Sequence, residues 1–170
     1  MRRAFAALAA VLALVAWRYA PPRPRSAEAP PEEFSALRAK AALGRVLGDG
    51  APHVTGSAAN ADVRARLVAE LQRLGLSPEV EERFVCGGGG RCARVVNVLA
   101  RVPGDDPSHP SSSAVLLACH YDSVAAGPGA ADDGAGVATA LETARALLAS
   151  PRRPRDVWLL IDDGEEQALL

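Results

Sequence analysis

Ala114 to Glu166 reads AVLLACHYDSVAAGPGAADDGAGVATALETARALLASPRRPRDVWLLIDDGEE, and the order of its patterns decides the fold. AVLLAC, Ala114 to Cys119, is a short continuous apolar run, the pattern of a buried central strand. A glycine-rich loop follows, and from about Gly134 to Ala149 the residues Val137, Leu141, Ala144 and Leu148 repeat at helical spacing. PRRPR breaks that helix. DVWLLI, Asp156 to Ile161, is a second buried strand. Strand, loop, helix, strand is a βαβ unit, which implies parallel strands joined by a right-handed crossover. Both acidic clusters of the stretch lie just past the C-terminal ends of the two strands, where open α/β sheets place their ligands.

Outward from this unit, Arg94 to Val102 and part of Leu76 to Val85 read as two more strands around a glycine turn. Val63, Leu67, Leu71 and Leu74 form the stripe of a helix, with Asn60 as its N-cap and Gly75 as its stop. An earlier helix is expected from about Pro31 to Leu47, with Phe34, Leu37, Ala41 and Val46 on one side. GDGAPHVTGS between these two helices reads as a loop, as does PGDDPSHPSSS, whose His109 has no partners in the pattern. Residues 21–33 are rich in Pro, Arg, Glu and Ala, a linker by composition.

The chain has 170 residues, 49% of them apolar, which suggests one domain able to bury a core. A formal net charge of −1 gives no nucleic-acid footprint. Lys40 is the only lysine, a bias that fits a GC-rich genome better than an arginine-specific role. Residues 1–25 open with two arginines, continue through an apolar run from Ala4 to Trp17, and close on Arg18 and a Pro/Arg-rich break. Residues 1–20 read as an export signal or a membrane anchor, with an ordinary buried helix as the rival. The run is shorter than the roughly 20 residues of a full span, which favours a cleaved signal. The lack of a small-x-small site, and the interfacial residues Trp17 and Tyr19, favour an anchor. Either form of export puts the rest of the chain outside the cytoplasm. CGGGGRC, Cys86 to Cys92, fits a disulfide in an oxidising compartment, and a metal-binding pair is the weaker alternative. Cys119 reads as a small buried residue.

The candidate chemistry lies in His120, Asp122, Asp132 and Asp133 after the first strand, and in Asp162, Asp163, Glu165 and Glu166 after the second. Adjacent strands are separated by about 4.8 Å, so neighbouring strands would bring these groups into one crevice. Carboxylates crowded at that density raise one another's pKa, and a divalent cation removes the repulsion. A mixed N/O set with a histidine suits zinc, with cobalt or manganese as rivals. Asp122 is placed to orient the His120 ring from its other nitrogen. Asp132 precedes a helix N-terminus, which favours its ionised form. One of the paired glutamates can bind metal while the other takes a proton. Any single aspartate here can equally serve as a cap or turn residue, and Asp162 and Asp163 are read that way. GPGAAD puts Asp132 where a dinucleotide loop needs its third glycine, and no G-x-S-x-G elbow is present.

HYDS, GPGAADDGAGVA and LLIDDGEE together resemble the co-catalytic di-zinc peptidase family that includes aminopeptidase Y and bacterial leucyl aminopeptidases. The resemblance covers roughly Phe34 to the end. PHVTGSAANADVRARLVAELQRLGL and VVNVLARVPG further resemble its membrane-anchored endoplasmic-reticulum and vacuolar branch. The implied fold is α/β, the N-terminal part of a three-layer αβα zinc-peptidase fold with a mixed, mostly parallel sheet, over residues 34–170. The implied site has His120 on one zinc, Asp132 bridging two, Glu166 on the other, Glu165 as general base and Asp122 orienting His120. The resemblance also implies a cis bond between Asp132 and Asp133, and a peptide or protein substrate. The family pattern needs a second aspartate and a second histidine, which these residues do not supply, so a truncated chain with only the first half of a site is expected. The family fold also hosts carboxypeptidases and glutaminyl cyclisation. A catalytically silent, membrane-anchored binding domain is the competing expectation.

Overall fold

A computed structural model describes residues 2–87, 90, 92–106 and 113–167. His109 lies outside the described residues. The elements run α1 (Arg2–Arg18), α2 (Ala36–Leu47), α3 (Ala58–Arg73), β1 (Glu79–Cys86), β2 (Cys92–Val102), β3 (Val115–His120), α4 (Gly134–Ala149), β4 (Val157–Asp162) and a 3-10 turn at Glu165–Gln167. The four strands form one sheet in the order β1-β2-β4-β3. β3 and β4 are parallel, with His120 opposite Asp162, as a βαβ crossover through α4 requires. β1–β2 and β2–β4 are antiparallel. The sheet is therefore mixed, but parallel pairing is its minority among the described strands.

Among the described strands β3 sits at an edge rather than in the centre. The central strand of the βαβ unit is β4, paired on both sides. The apolar run of β3 misleads because Val115 and Leu116 are exposed while only Cys119 and His120 at its end are buried. One face of the sheet carries the core. Val98, Ala100, Val102, Leu159 and Ile161 alternate inward and pack with Val46 of α2, Val63, Leu67 and Leu71 of α3, and Val137, Leu141 and Ala144 of α4. The other face carries Leu116 with 59% of its surface exposed, and no described helix covers it. Two of the three expected layers are thus present among the described residues.

α2 begins at Ala36, not near Pro31, because the Ser35 hydroxyl accepts from the Arg38 amide and caps the first turn. Its buried face is Ala39, Ala42 and Val46. Phe34 and Leu37, expected on that face, are exposed, as is Ala41. α3 is capped by Ser57 rather than Asn60, which lies inside the helix and is buried. α3 ends as expected: Gly75 has a φ of 80°, and the Leu76 amide returns to Leu71 O. α4 runs from Gly134 to Ala149, with Asp133 as its N-cap accepting from Gly136.

Residues 25–33 form no helix or strand, yet they are held against α2 and α4. Glu142, buried on α4, accepts from Arg38 Nε at 3.0 Å, from Arg145 Nε at 2.7 Å and from the Ser35 amide at 2.9 Å. Fixed by that carboxylate, Arg38 donates to the carbonyls of Ala27, Ala29, Pro30 and Glu33. Arg145 donates to those of Pro31 and Glu33. α1 contrasts with this: Phe5, Leu8, Val11, Leu12, Leu14, Val15 and Trp17 are all exposed among the described residues. No helix among the described residues is long and apolar enough to cross a membrane. Cys86 and Cys92, paired across the β1–β2 hairpin, are joined by a disulfide.

Candidate metal centre

The end of β3 delivers His120 into a pocket of carboxylates, and the loop to α4 returns Asp132 beside it. Asp132 Oδ1 lies 3.3 Å from His120 Nε2, and Glu165 Oε2 lies 3.8 Å from the same nitrogen. Ligand atoms of His120, Asp132 and Glu166 all fall within 4.8 Å of one another. The parallel pairing of β3 with β4 causes this convergence, since it places both strand ends at one edge of the sheet. The Asp132–Asp133 peptide bond is cis, as the resemblance implied.

Asp122 is fully buried. Its Oδ1 accepts from the Glu165 amide at 3.2 Å and its Oδ2 from the Glu166 amide at 3.1 Å. Oδ1 is also 3.3 Å from His120 Nδ1, but that buried nitrogen has no hydrogen-bond partner among the described residues. Asp122 is thus at the position expected of an orienting group, in contact with the ring but without an aligned hydrogen bond. Burial opposes the charged form of His120. The Asp122 charge, the Asp132 hydrogen bond and the Glu165 and Asp133 charges outweigh it and raise the imidazole pKa. An imidazole that faces Asp132 and Glu165 through Nε2, with the Asp122 carboxylate 3.3 Å behind its Nδ1, fits a cation bound among these donors.

Asp162 closes β4 and is not a turn residue, and Asp163, in the bend that follows, does more than shape a turn. Asp163 is buried, accepts from the Val96 amide at 3.1 Å and from Asn60 Nδ2 at 3.1 Å, and its own amide donates to Asn97 Oδ1. Burial pushes its carboxyl up, and does the same to Asp162. The loop before α3 also enters the site. Thr55 Oγ1 donates to Asp122 Oδ2 at 3.0 Å. The His53 amide donates to Ser123 Oγ at 2.8 Å, and the Ser123 amide returns to His53 O. The residues VTGSAAN that supply Thr55 and Asn60 read as an ordinary loop and cap. Apart from the family resemblance of the stretch that contains them, their polar density before an apolar stripe is the signal that points to them. Cys119 is buried, and burial, followed by the Asp133 and Asp162 charges, pushes its thiol up to about 12, which fits packing and not catalysis.

The parallel β3–α4–β4 unit thus gathers one histidine and several carboxylates at its strand ends. Residues 97–170 match the model of Peptidase family M28. Endoplasmic reticulum metallopeptidase 1 of Mus musculus is 28% identical over 81% of this chain and 17% of its own length. A vacuolar membrane protease of Pyrenophora tritici-repentis is 44% identical over 44% of this chain and 8% of its own. Among solved structures, a glutaminyl cyclase of Porphyromonas gingivalis has a TM-score of 0.65 at 26% identity, covering 76% of this chain and 45% of that one. A Zn-dependent exopeptidase of Parabacteroides distasonis has a TM-score of 0.62 at 25% identity, covering 78% and 48%. The chain therefore spans under a fifth of these curated relatives and about half of these solved structures.

Proposed function

We propose that this chain is part of a zinc-dependent metallopeptidase, an aminopeptidase by its resemblance, in which His120, Asp132 and Glu166 hold metal and Glu165 moves the proton. The observation that carries the reading is the convergence of those three donors within 4.8 Å, with the Glu165 carboxylate 3.8 Å from the same imidazole. Bound zinc supplies Lewis acidity toward water and the scissile carbonyl. Glu165, half-exposed at the mouth of the site, takes a proton from the attacking water on Oε2 and returns it to the leaving amine. Asp122 fixes the imidazole of His120 and the turn that carries both glutamates.

In this reading Asp132 would be a ligand shared by the ions of the complete site. The family pattern calls for a further aspartate and histidine, to which this reading assigns none of the described residues. The isolated chain is accordingly expected to bind zinc weakly and to lack turnover. Residues 1–20 serve as a signal or membrane anchor, 21–33 as the connecting segment and 34–170 as the peptidase portion, outside the cytoplasm. The Cys86–Cys92 disulfide supports an oxidising compartment. The likeness to glutaminyl cyclases favours a second reading, cyclisation of an N-terminal glutamine at the same site.

The test is made on the longer protein that carries this segment. An aminoacyl-anilide and an N-terminal glutaminyl peptide are supplied in parallel, each with Glu165→Gln as the control. Anilide turnover lost in Glu165→Gln supports the peptidase. Turnover of the glutaminyl peptide alone supports the cyclase. No turnover of either by a zinc-loaded protein supports the silent binding domain and sinks the proposal.

A further inference from the structure

The loop between α2 and α3 ends inside the metal centre, and one of its side chains has no role in the reading above. Thr55 Oγ1 donates to Asp122 Oδ2 at 3.0 Å. Asp122 is a junction. Its oxygens take the amides of Glu165 and Glu166, and Oδ1 faces His120 Nδ1 at 3.3 Å. One carboxylate therefore touches the imidazole, the backbone behind both glutamates, and Thr55. The two amides fix Asp122 only to the turn after β4. The hydroxyl ties it to a third segment, 67 residues away in sequence.

That third segment is itself pinned on both sides. His53 is buried, its amide donates to Ser123 Oγ, and its carbonyl takes the Ser123 amide. His53 Nδ1 lies 3.0 Å from Ala51 O within the loop. Asn60 Nδ2 donates to Asp163 Oδ1, which anchors the start of α3 to the residue after β4. Ser123 belongs to the loop that carries Asp132, and Asp163 to the turn that carries Glu166. The Thr55 backbone is thus registered against both halves of the candidate metal site, and its hydroxyl arrives at Asp122 with little freedom left to lose.

We propose that Thr55 is a positioning residue for the metal centre, holding Asp122 in the orientation that keeps the His120 ring and the Glu165–Glu166 turn at the spacing a cation requires. The inference rests on the reading that His120, Asp132 and Glu166 hold the metal. With the hydroxyl gone, Oδ2 of a fully buried carboxylate keeps, among the described residues, a single donor, the Glu166 amide, and Asp122 can turn away from the imidazole. Loss of an orienting partner of this kind costs about 10- to 100-fold in metal affinity.

The experiment measures zinc affinity by chelator competition on the longer protein that carries this segment, with thermal melting of each variant in excess chelator alongside. Thr55→Val weakens zinc binding by about tenfold or more, while Thr55→Ser, which keeps the hydroxyl, holds the wild-type affinity. Thr55→Ala carries the same expectation as Thr55→Val and replaces it if the valine variant does not fold. A merely structural Thr55 lowers the melting temperature of the metal-free protein and leaves zinc affinity unchanged, which overturns the proposal. Wild-type affinity in Thr55→Val, or loss in Thr55→Ser equal to that in Thr55→Val, overturns it as well. His120→Ala separates the two levels. If that variant binds zinc as well as the wild type does, the site reading fails and the proposal falls with it. If His120→Ala loses zinc and Thr55→Val does not, only the proposal fails.

Discussion

Glu165 and Glu166 are neighbours in sequence whose main chains are tied to one carboxylate, yet their side chains have separate tasks in the proposed site. Glu165→Gln keeps size and backbone contacts but removes the proton acceptor. Zinc affinity of the chain is expected to stay near wild type in Glu165→Gln and to fall at least tenfold in Glu166→Gln, as read by chelator competition. Equal losses in the two would mean that the roles are not divided. These residues were legible because each sits in a short motif at the end of an apolar run. Thr55, Asn60 and Asp163 were not. Their partners lie 67 and 103 residues away, and Ser, Thr, Asn and Asp near a helix start carry the same local signature whether they cap a turn or support a site.

Among the elements, α4 was read to its exact ends, because a glycine-rich start, a clean apolar stripe and a proline stop agree. α3 was read for the same reason, through Leu67 and Leu71, which are fully buried between the sheet and α2. Leu71→Ala is expected to cost about 2–5 kcal/mol in urea unfolding, the usual range for a core leucine that leaves a cavity. α2 was misjudged by a turn because Ser35, not proline, starts it, and because its buried face is made of small residues. Ala39 and Ala42 allow α2 and α4 to approach closely, so their brevity, which hides the stripe from a hydropathy pattern, is what the packing uses. β3 was misjudged because an apolar run does not say how many neighbours a strand has.

Across the whole molecule, the polar centre of gravity outside the candidate site is Glu142. Its burial favours the neutral acid, but hydrogen bonds and charge from Arg145, the Ser35 amide and Arg38 outweigh burial and hold its pKa below 4.5. The sign follows. A carboxyl depressed on folding stabilises the protein above its unfolded pKa, and that contribution is lost as pH falls through the folded value. Urea midpoints are expected to drop below about pH 4.5 in the wild type, and to drop less in Glu142→Gln, which no longer titrates there. At neutral pH, Glu142→Ala is expected to cost about 3 kcal/mol, since it leaves Arg38 and Arg145 without the carboxylate that holds them. A smaller loss at pH 7, or an unchanged acid slope in Glu142→Gln, would contradict this account.

The grip of Arg38 and Arg145 on residues 27–33 has one more consequence. Both guanidinium groups reach peptide oxygens there, which every amino acid provides. Recognition of this kind is blind to side-chain identity and sensitive only to the route of the main chain. The stretch can therefore drift freely in composition between related proteins, while an insertion or deletion of one residue would throw its oxygens out of step with the two arginines.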